Sequence, residues 1–272
     1  MRHQDLSELA RPVLLFGGPY SNLQATEAVL AQAAALEVPA GNVICTGDVV
    51  AYCAQPAETV AVVRAAQVVV VAGNCEQQLA ANALDCGCGF EAGTACDLLS
   101  AGWYAHANAE IDAEARSWMA ELPDVVTFQQ AGKRVAVIHG GVTDVARFVF
   151  SVSPEAVFAE EIEALKAQVG PVDVVVAGHS GIAFERQVGD VTWVNAGAVG
   201  MPEHDGRQET RFVILRNGNA EIRELAYDAQ SAFAAMQAVG LRQGYDRALL
   251  SGYWPSEDVL PQELRLGSLA NG

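Results

Sequence analysis

The segment that decides the fold is VICTGD, residues 43–48, where a short apolar run stops at a Gly-Asp pair. Such a run, bounded by turn residues, predicts a buried strand that ends in a tight turn. The same arrangement occurs at VLLFGGP, residues 13–19, and at VVVVAGN, residues 68–74. Helical patterns over residues 22–30 and 58–66 separate the three runs. This alternation predicts parallel strands whose connecting helices pack on the sheet.

Antiparallel signals follow later in the chain, where turn dipeptides such as Gly189-Asp190 and Asn217-Gly218 separate alternating runs. We expect strands over residues 125–128, 134–138, 172–176, 183–188, 191–195 and 211–215, and helices over residues 112–122, 154–169 and 229–239. A single domain over residues 11–240, made of two sheets covered by helices, fits this order. Residues 241–272 are expected to form an irregular tail that packs on the domain or on a partner.

Composition excludes several classes of protein. The chain has 272 residues, 51% of them hydrophobic and 18% charged, which is typical of a globular protein. Its formal net charge of −17 argues against nucleic acid as a partner, because phosphate backbones are bound by Lys and Arg patches. The N-terminus lacks the apolar core of a secretory signal, and no apolar stretch has the ~20 residues of a membrane helix. We therefore expect a cytoplasmic protein with no membrane partner, whose six cysteines are free thiols or metal ligands rather than disulfides.

Four polar residues follow the ends of predicted strands: Asp48, Asn74, His139 and His179. In an open α/β sheet, the carboxyl ends of the strands form the edge at which ligands bind. A carboxylate, an amide oxygen and two imidazoles suit Zn²⁺, Mn²⁺ or Fe²⁺ better than Ca²⁺, which prefers an all-oxygen site. The four residues together therefore predict a site for a divalent transition metal ion.

The order and spacing of these motifs resemble those of the calcineurin-like metallophosphoesterase superfamily, in particular its small bacterial phosphodiesterase and phosphatase-like branch. The family pattern is Asp-x-His, Gly-Asp, Gly-Asn-His-Asp/Glu, His-Gly, Gly-His-x-His and Asn-Pro-Gly-Ser-Val-Gly. The resemblance covers residues 13–225 and implies a four-layer α/β/β/α sandwich of two mixed β-sheets flanked by helices. The matching segments here are Gly47-Asp48, Gly73-Asn74-Cys75-Glu76, His139-Gly140-Gly141, Gly178-His179-Ser180-Gly181 and Asn195-Ala196-Gly197-Ala198-Val199-Gly200.

The chain departs from the family pattern at four positions. Gly18 and Tyr20 stand where the family has its first Asp and His, and Gly181 stands where it has its last His. Cys75 replaces the histidine that protonates the leaving group in the family. The resemblance thus implies that the ligands of one metal ion are lost, except for the shared Asp48.

The ligands of the other ion are complete, so the resemblance implies about one ion per chain, held by Asp48, Asn74, His139 and His179. Asn74, Cys75 and His139 are the predicted catalytic residues. Asn74 would also position phosphate, and Cys75 would act as a weak acid or as an additional soft ligand.

Two interpretations of the segment GGPYSN, residues 17–22, stay open. Successive amides beside a helix start can bind an anion, in which case Gly18, Tyr20 and Asn22 would contact substrate phosphate. The alternative is a tight strand-to-helix turn that is capped by Asn22. The cysteines leave a similar choice, because Cys86, Cys88 and Cys96 could hold a second metal ion or be free thiols.

The sequence therefore predicts a metal-dependent phosphoesterase with a single-metal centre, acting as a phosphatase or phosphodiesterase on a small phosphorylated substrate. The alternative is a non-catalytic metal- or nucleotide-binding member of the fold that serves as a sensor or scaffold. A homo-oligomer is one option that the sequence leaves open.

Overall fold

The computed structural model describes residues 1–91 and 93–266. It contains two mixed sheets that face each other, with helices on both outer surfaces, so the predicted four-layer α/β/β/α sandwich is confirmed. None of the helices in these residues combines the length and the apolarity that a membrane span requires.

The first sheet has five strands in the order β11-β10-β2-β3-β4. Strands β2, β3 and β4 are parallel, and β10 and β11 add to the edge beside β2 in antiparallel fashion. This is the βαβαβ arrangement that the opening segments predict. The bounds are β2 Val13–Phe16, α1 Leu23–Ala35, β3 Val43–Cys45, α2 Pro56–Ala65, β4 Val69–Val70, α3 Asn74–Ala80, β10 Thr210–Arg216 and β11 Asn219–Leu225.

The second sheet has six strands in the order β1-β5-β6-β7-β9-β8. Pairs β1–β5, β6–β7 and β7–β9 are parallel, whereas β5–β6 and β8–β9 are hairpins. The bounds are β1 His3–Glu8, α4 Ala95–Glu110, α5 Ala113–Glu121, β5 Val125–Gln130, β6 Lys133–Val137, α6 Glu155–Val169, β7 Val174–Ala177, β8 Phe184–Val188, β9 Val191–Asn195 and α7 Ala229–Val239.

Strand β2 shows why the layers form in this order. Successive side chains of a strand point to opposite faces. Val13 and Leu15 enter the core between the two sheets, while Leu14 and Phe16 pack under the helices on the outer face. Helix α6 covers the other sheet through a separate cluster that contains Phe158. Every residue of β2 is buried, which is why its sequence is continuously apolar rather than alternating.

Two expectations about the chain ends need correction. Residues 3–8, which lie before the predicted domain, form strand β1 at the edge of the second sheet, and their mostly exposed polar side chains gave no strand signal. The tail is not irregular throughout, because Tyr245–Ser251 forms helix α8 and Gln262–Leu264 a 3-10 turn. Apolar Ala248 and Leu249 bury this helix against the body of the chain. Residues 267–272 of the predicted tail lie outside the described residues.

Candidate metal centre

The four predicted ligand residues come together at the edge where the two sheets meet. Asp48 and Asn74 follow β3 and β4 of the first sheet, while His139 and His179 follow β6 and β7 of the second. Each pair of strands is parallel and adjacent, so the carboxyl ends lie side by side. All four side chains are less than 10% exposed. The structure thus brings the four residues together, as their positions after the ends of strands predicted.

Two of the four residues adopt a backbone conformation that is uncommon for side chains with a Cβ. Asp48 has φ of 54° and His179 has φ of 58°. Such left-handed residues are costly and persist only where the surroundings fix them, often at functional sites. The turns before them begin with glycine, as Gly47 and Gly178 show. These turns bring the two side chains together, with His179 Nδ1 3.9 Å from Asp48 Oδ2.

The ligand atoms are separated by distances that suit one shared ion. His139 Nε2 lies 3.0 Å from His179 Nδ1, 3.1 Å from Asn74 Oδ1 and 3.3 Å from Asp48 Oδ2. His179 Nδ1 is 3.9 Å from the same Asp48 oxygen. A tetrahedral ion with ligands at about 2.0–2.2 Å separates its ligand atoms by about 3.3–3.6 Å. The measured separations bracket this value, so the residues present fit a single ion.

Hydrogen bonds behind the ligands aim their lone pairs into the site. His139 Nδ1 is 2.7 Å from the Thr46 carbonyl, which can only accept, so the ring proton lies on Nδ1 and Nε2 offers a lone pair. The Asn74 amide nitrogen donates to the Cys86 carbonyl at 2.9 Å, which leaves Oδ1 facing His139. Three acceptor atoms, from His139, Asn74 and Asp48, therefore face one another. A cation relieves the repulsion that such a cluster otherwise carries.

The charges of the site agree with this interpretation. Burial alone would raise the pKa of Asp48, but the neighbouring His139 and His179 rings hold it well below its usual range. Burial lowers the pKa of His179. Burial also acts to lower the pKa of His139, but the Asp48 carboxylate outweighs it and raises that pKa. A proton and a metal ion therefore compete for the same lone pair, as is usual for metal ligands.

Glu76 supports the site and was given no role by the sequence analysis. Its fully buried carboxylate accepts hydrogen bonds from the backbone N–H groups of Asp48 at 2.8 Å, Val49 at 2.9 Å and Gly73 at 2.9 Å. These contacts tie the turn that carries Asp48 to the start of α3, which carries Asn74. The signal was its position three residues after Gly73, where a capping-box acid stands.

The pKa of Cys75 gives no support to its predicted role as an acid. The residue is 1% exposed, and burial, followed by the Asp48 carboxylate, raises the pKa of its thiol. Its side chain belongs to the core under the helices, and its Sγ accepts from the Asn74 side-chain amide at 3.5 Å. The backbone N–H of Cys75 donates to Asp48 Oδ1 at 3.3 Å. The residue therefore contacts two of the predicted ligand residues.

The predicted anion cradle at residues 17–22 also lacks support. The amides of Gly18 and Tyr20 already donate to the carbonyls of Gly47 and Asp48, at 3.2 and 3.1 Å. Asn22 accepts from the Ala25 amide at 3.1 Å and caps α1, while its own amide donates to a buried carbonyl. These backbone and side-chain amides are used within the fold. Tyr20 lines the pocket beside His179, so a contact of its hydroxyl with phosphate stays a prediction. The contacts match the alternative of a tight, capped turn.

Tyr20 instead fills the space left by the missing ligand residues. A Cβ built on Gly18 would lie 2.3 Å from Cζ of the Tyr20 ring, so the ring covers this glycine. A Cβ built on Gly181 would lie 3.7 Å from the Tyr20 hydroxyl. One aromatic ring thus spans the two glycines that stand at ligand positions of the family pattern. The departures at residues 18, 20 and 181 form one structural unit.

The prediction of a cysteine metal site at Cys86, Cys88 and Cys96 is wrong. Cys86 and Cys88 form a disulfide across Gly87, which also corrects the expectation that the cysteines would all be free. Sulfurs that are bonded to each other cannot act as thiolate ligands. The other four cysteines are free and buried, and in the described part of the chain the one candidate metal cluster is Asp48, His139 and His179.

A small pocket of about 50 Å³ opens beside the predicted ligands. Its wall includes His179, Gly181 and Tyr20 together with further aromatic residues. The Phe148 ring packs on His179 with a centroid distance of 4.3 Å. Phe148 lies in a loop without regular secondary structure, so nothing in the sequence pattern indicated this contact.

Comparison with known proteins agrees with the fold and identifies the family. Residues 20–218 match the model of the calcineurin-like phosphoesterase superfamily domain. No curated protein sequence matches the chain. A metallophosphoesterase from Sphaerobacter thermophilus superposes with a TM-score of 0.68 at 19% identity, over 90% of this chain and all of the other. The hypothetical protein PH1004 from Pyrococcus horikoshii OT3 gives 0.71 at 13% identity, over 90% and 98%. At these identities the structural matches show the fold alone.

Proposed function

This chain belongs to the calcineurin-like phosphoesterase superfamily, and on that premise we propose that it hydrolyses phosphate esters at a centre built around one divalent transition metal ion. The observation that carries the proposal is the convergence of Asp48, Asn74, His139 and His179 on one point, with three acceptor atoms facing one another. A small phosphorylated molecule in the cytoplasm is the proposed substrate, and the oligomeric state stays a prediction.

The residues around the centre have distinct tasks in this proposal. When bound, a divalent ion supplies Lewis-acid polarisation of a phosphoryl oxygen and activates water at neutral pH. The Nδ1 proton of His139 is donated to the Thr46 carbonyl, so the Nε2 lone pair faces the centre. The Asn74 amide nitrogen donates to the Cys86 carbonyl, so the Asn74 oxygen also faces the centre. Glu76 fixes the turn of Asp48. The centre is therefore assembled before a substrate arrives, which is the condition for electrostatic catalysis.

One ion rather than two follows from Tyr20. Its ring covers Gly18 and approaches Gly181, and burial raises the pKa of its phenol, so this side of the site offers no carboxylate, imidazole or phenolate. A two-metal site clamps the attacking and the leaving oxygen together. With one ion, and with Cys75 instead of a histidine as proton donor, esters with good leaving groups are the substrates that this centre suits best.

The test combines metal analysis with turnover of an activated ester. Purified protein, stripped and reloaded with Mn²⁺, Zn²⁺ or Fe²⁺, is expected to bind about one ion per chain and to hydrolyse bis(p-nitrophenyl) phosphate. His139→Ala removes the atom closest to the other three and is expected to abolish both. His3→Ala, on the exposed edge strand β1, is the matched control and leaves both unchanged.

The rival function is a metal-binding sensor or scaffold without turnover. It is favoured by one observation, the burial of Cys75 at the position of the family's proton donor. One bound ion with no hydrolysis of any ester would support the rival. Two ions bound at this centre would contradict the single-ion centre.

A further inference from the structure

The pocket beside His179 carries an inference about substrate class that rests on the proposed function. We propose that this pocket selects phosphodiesters with one compact, uncharged, apolar ester group over phosphomonoesters. It lies next to the predicted ligands, since His179, Ser180 and Gly181 line it. An ester whose phosphorus is at the centre therefore has one substituent directed at this wall.

The residues that line the pocket determine the charge of the ester that it binds. Six of the lining residues are aromatic, namely Tyr20, Tyr52, Phe90, Phe148, Tyr245 and Trp254, and none of the described lining residues is Lys, Arg, Asp or Glu. Sites that bind phosphomonoester dianions neutralise the second charge with Arg, Lys or a further metal ion. Tyr20 stands where that further ion would be held. The pocket therefore suits a phosphodiester, which carries one charge.

The charge of the whole protein also disfavours phosphomonoesters. The chain has a formal net charge of −17, so its surface repels multiply charged anions over roughly a Debye length. At an effective dielectric constant typical of such sites, one uncompensated charge is expected to cost at least about tenfold in binding.

The size of the pocket limits the ester group. A volume of about 50 Å³ accommodates several water-sized groups, since a single water needs about 10–15 Å³ by the same measure. This is enough for a short alkyl group, but not for a nucleoside or for an aromatic ring, because an apolar cavity that binds benzene has about 150 Å³. The Tyr20–Tyr52 and Tyr52–Tyr245 ring pairs, 4.8 and 4.6 Å between centroids, form one packed side of the wall.

Trp254 closes the opposite side and is held in place. Its indole N–H donates to the Pro202 carbonyl at 2.6 Å, and its backbone N–H donates to His204 Nδ1 at 2.8 Å. Its ring edge lies 3.6 Å from the position of a Gly181 Cβ. An apolar ester group thus meets a fixed aromatic face, while Gly181 leaves the room for it.

The experiment varies the ester group at a constant leaving group. Four p-nitrophenyl esters are compared with the Mn²⁺-loaded protein: the phosphomonoester and the methyl, phenyl and thymidine 5′ diesters. We expect kcat/KM to be highest for the methyl diester, with the monoester lower by at least about tenfold. Trp254→Ala enlarges the pocket and is expected to raise the phenyl-to-methyl ratio by about tenfold. Trp118→Ala, which alters a tryptophan that packs on Arg64 instead, leaves this ratio unchanged.

A binding measurement keeps the inference testable if turnover is absent. Dimethyl phosphate and methyl phosphate are titrated against the loaded protein, and the change of tryptophan fluorescence is compared with that of Trp254→Phe. Tighter binding of dimethyl phosphate, with the signal lost in Trp254→Phe, supports the pocket even if the proposed hydrolysis fails. Equal or tighter binding of methyl phosphate, or turnover that favours the monoester, would overturn the inference while leaving the hydrolase function intact.

Discussion

The substitution Glu76→Gln tests whether one buried carboxylate holds the centre together. Its Oε2 atom accepts from the backbone N–H groups of Asp48 and Gly73, and its Oε1 atom accepts from Val49 at 2.9 Å and from Val50 at 3.4 Å. Glutamine has the same shape but replaces one oxygen with an NH₂ group. Two of the four backbone N–H groups would then face a donor instead of an acceptor.

The expected loss of stability follows from these contacts. Each buried N–H that loses its acceptor costs about 1–3 kcal/mol, so two cost about 2–6 kcal/mol. Part of this is offset because burial, followed by the Asp48 carboxylate, raises the pKa of Glu76 to about 7, so the native charge is itself unfavourable. We expect Glu76→Gln to lower the free energy of unfolding by about 3 kcal/mol. For a chain of this length, that corresponds to a Tm lower by roughly 6–12 °C.

The assay is urea denaturation at pH 8.5, where Glu76 is ionised, together with metal titration of the folded variant. Metal affinity is expected to fall by about 10–100-fold, since residues that orient metal ligands have effects of this size. The matched control is Glu27→Gln on the exposed face of α1, which is expected to change neither quantity. A stability loss below about 1 kcal/mol would refute the role of these hydrogen bonds. Unchanged metal affinity despite lost stability would limit Glu76 to a folding role.

Three other perturbations test neighbouring parts of the structure. When the free ion is present at about a thousand times its Kd, removing it with a chelator is expected to lower the free energy of unfolding by about 4 kcal/mol. The chelator should have no such effect on His139→Ala. Gly18→Ala places a Cβ 2.3 Å from the Tyr20 ring and is expected to destabilise by about 1–3 kcal/mol, but clearly less in a Tyr20→Ala background; additive losses in denaturation would contradict the contact. Burial raises the pKa of Glu203 from 4.5 to about 7, so the folded chain keeps a proton that the unfolded chain releases. The free energy of unfolding of the wild type, relative to that of Glu203→Gln, should therefore fall by on the order of 3 kcal/mol between pH 4.5 and 7 and stay constant above pH 7. A rise over this pH range in urea denaturation would show that the pKa of Glu203 is not raised in the folded chain.

The sequence predicted the sheets and the placement of the four polar residues because both depend on local pattern. A buried strand such as Val13–Phe16 is apolar at every position, and the residue after it lies at the sheet edge whatever the distant packing. Asp48 and His179 could be placed by this rule alone. Their left-handed backbone was not predictable from the rule, because it depends on contacts such as those of Glu76, which come from another element.

The features that escaped prediction depend on packing between distant segments. Strand β1 is joined to β5 by backbone hydrogen bonds, so its polar side chains give no pattern from which the strand could be predicted. The Cys86–Cys88 bond requires the turn at Gly87. For residues 17–22 the sequence left two interpretations open, because the choice depends on contacts such as that of the Tyr20 ring with Gly18. In each case the residue types permit several outcomes, and tertiary contacts select one.

The centre is assembled by contacts that cross from one sheet to the other. These contacts support our proposal that the centre holds one ion without the help of a second. His139 extends from the second sheet and is oriented by Thr46 of the first, so its position depends on the packing between the sheets rather than on a second ion. Beside this centre, the Tyr20 ring covers Gly18 and forms an apolar wall that keeps the volume filled, which avoids the cost of a cavity. An apolar wall also excludes water, and it lowers the local dielectric constant around Asp48, which strengthens its attraction to a cation. We therefore expect the apolar wall to favour the binding of a cation at Asp48, and one bound ion rather than none.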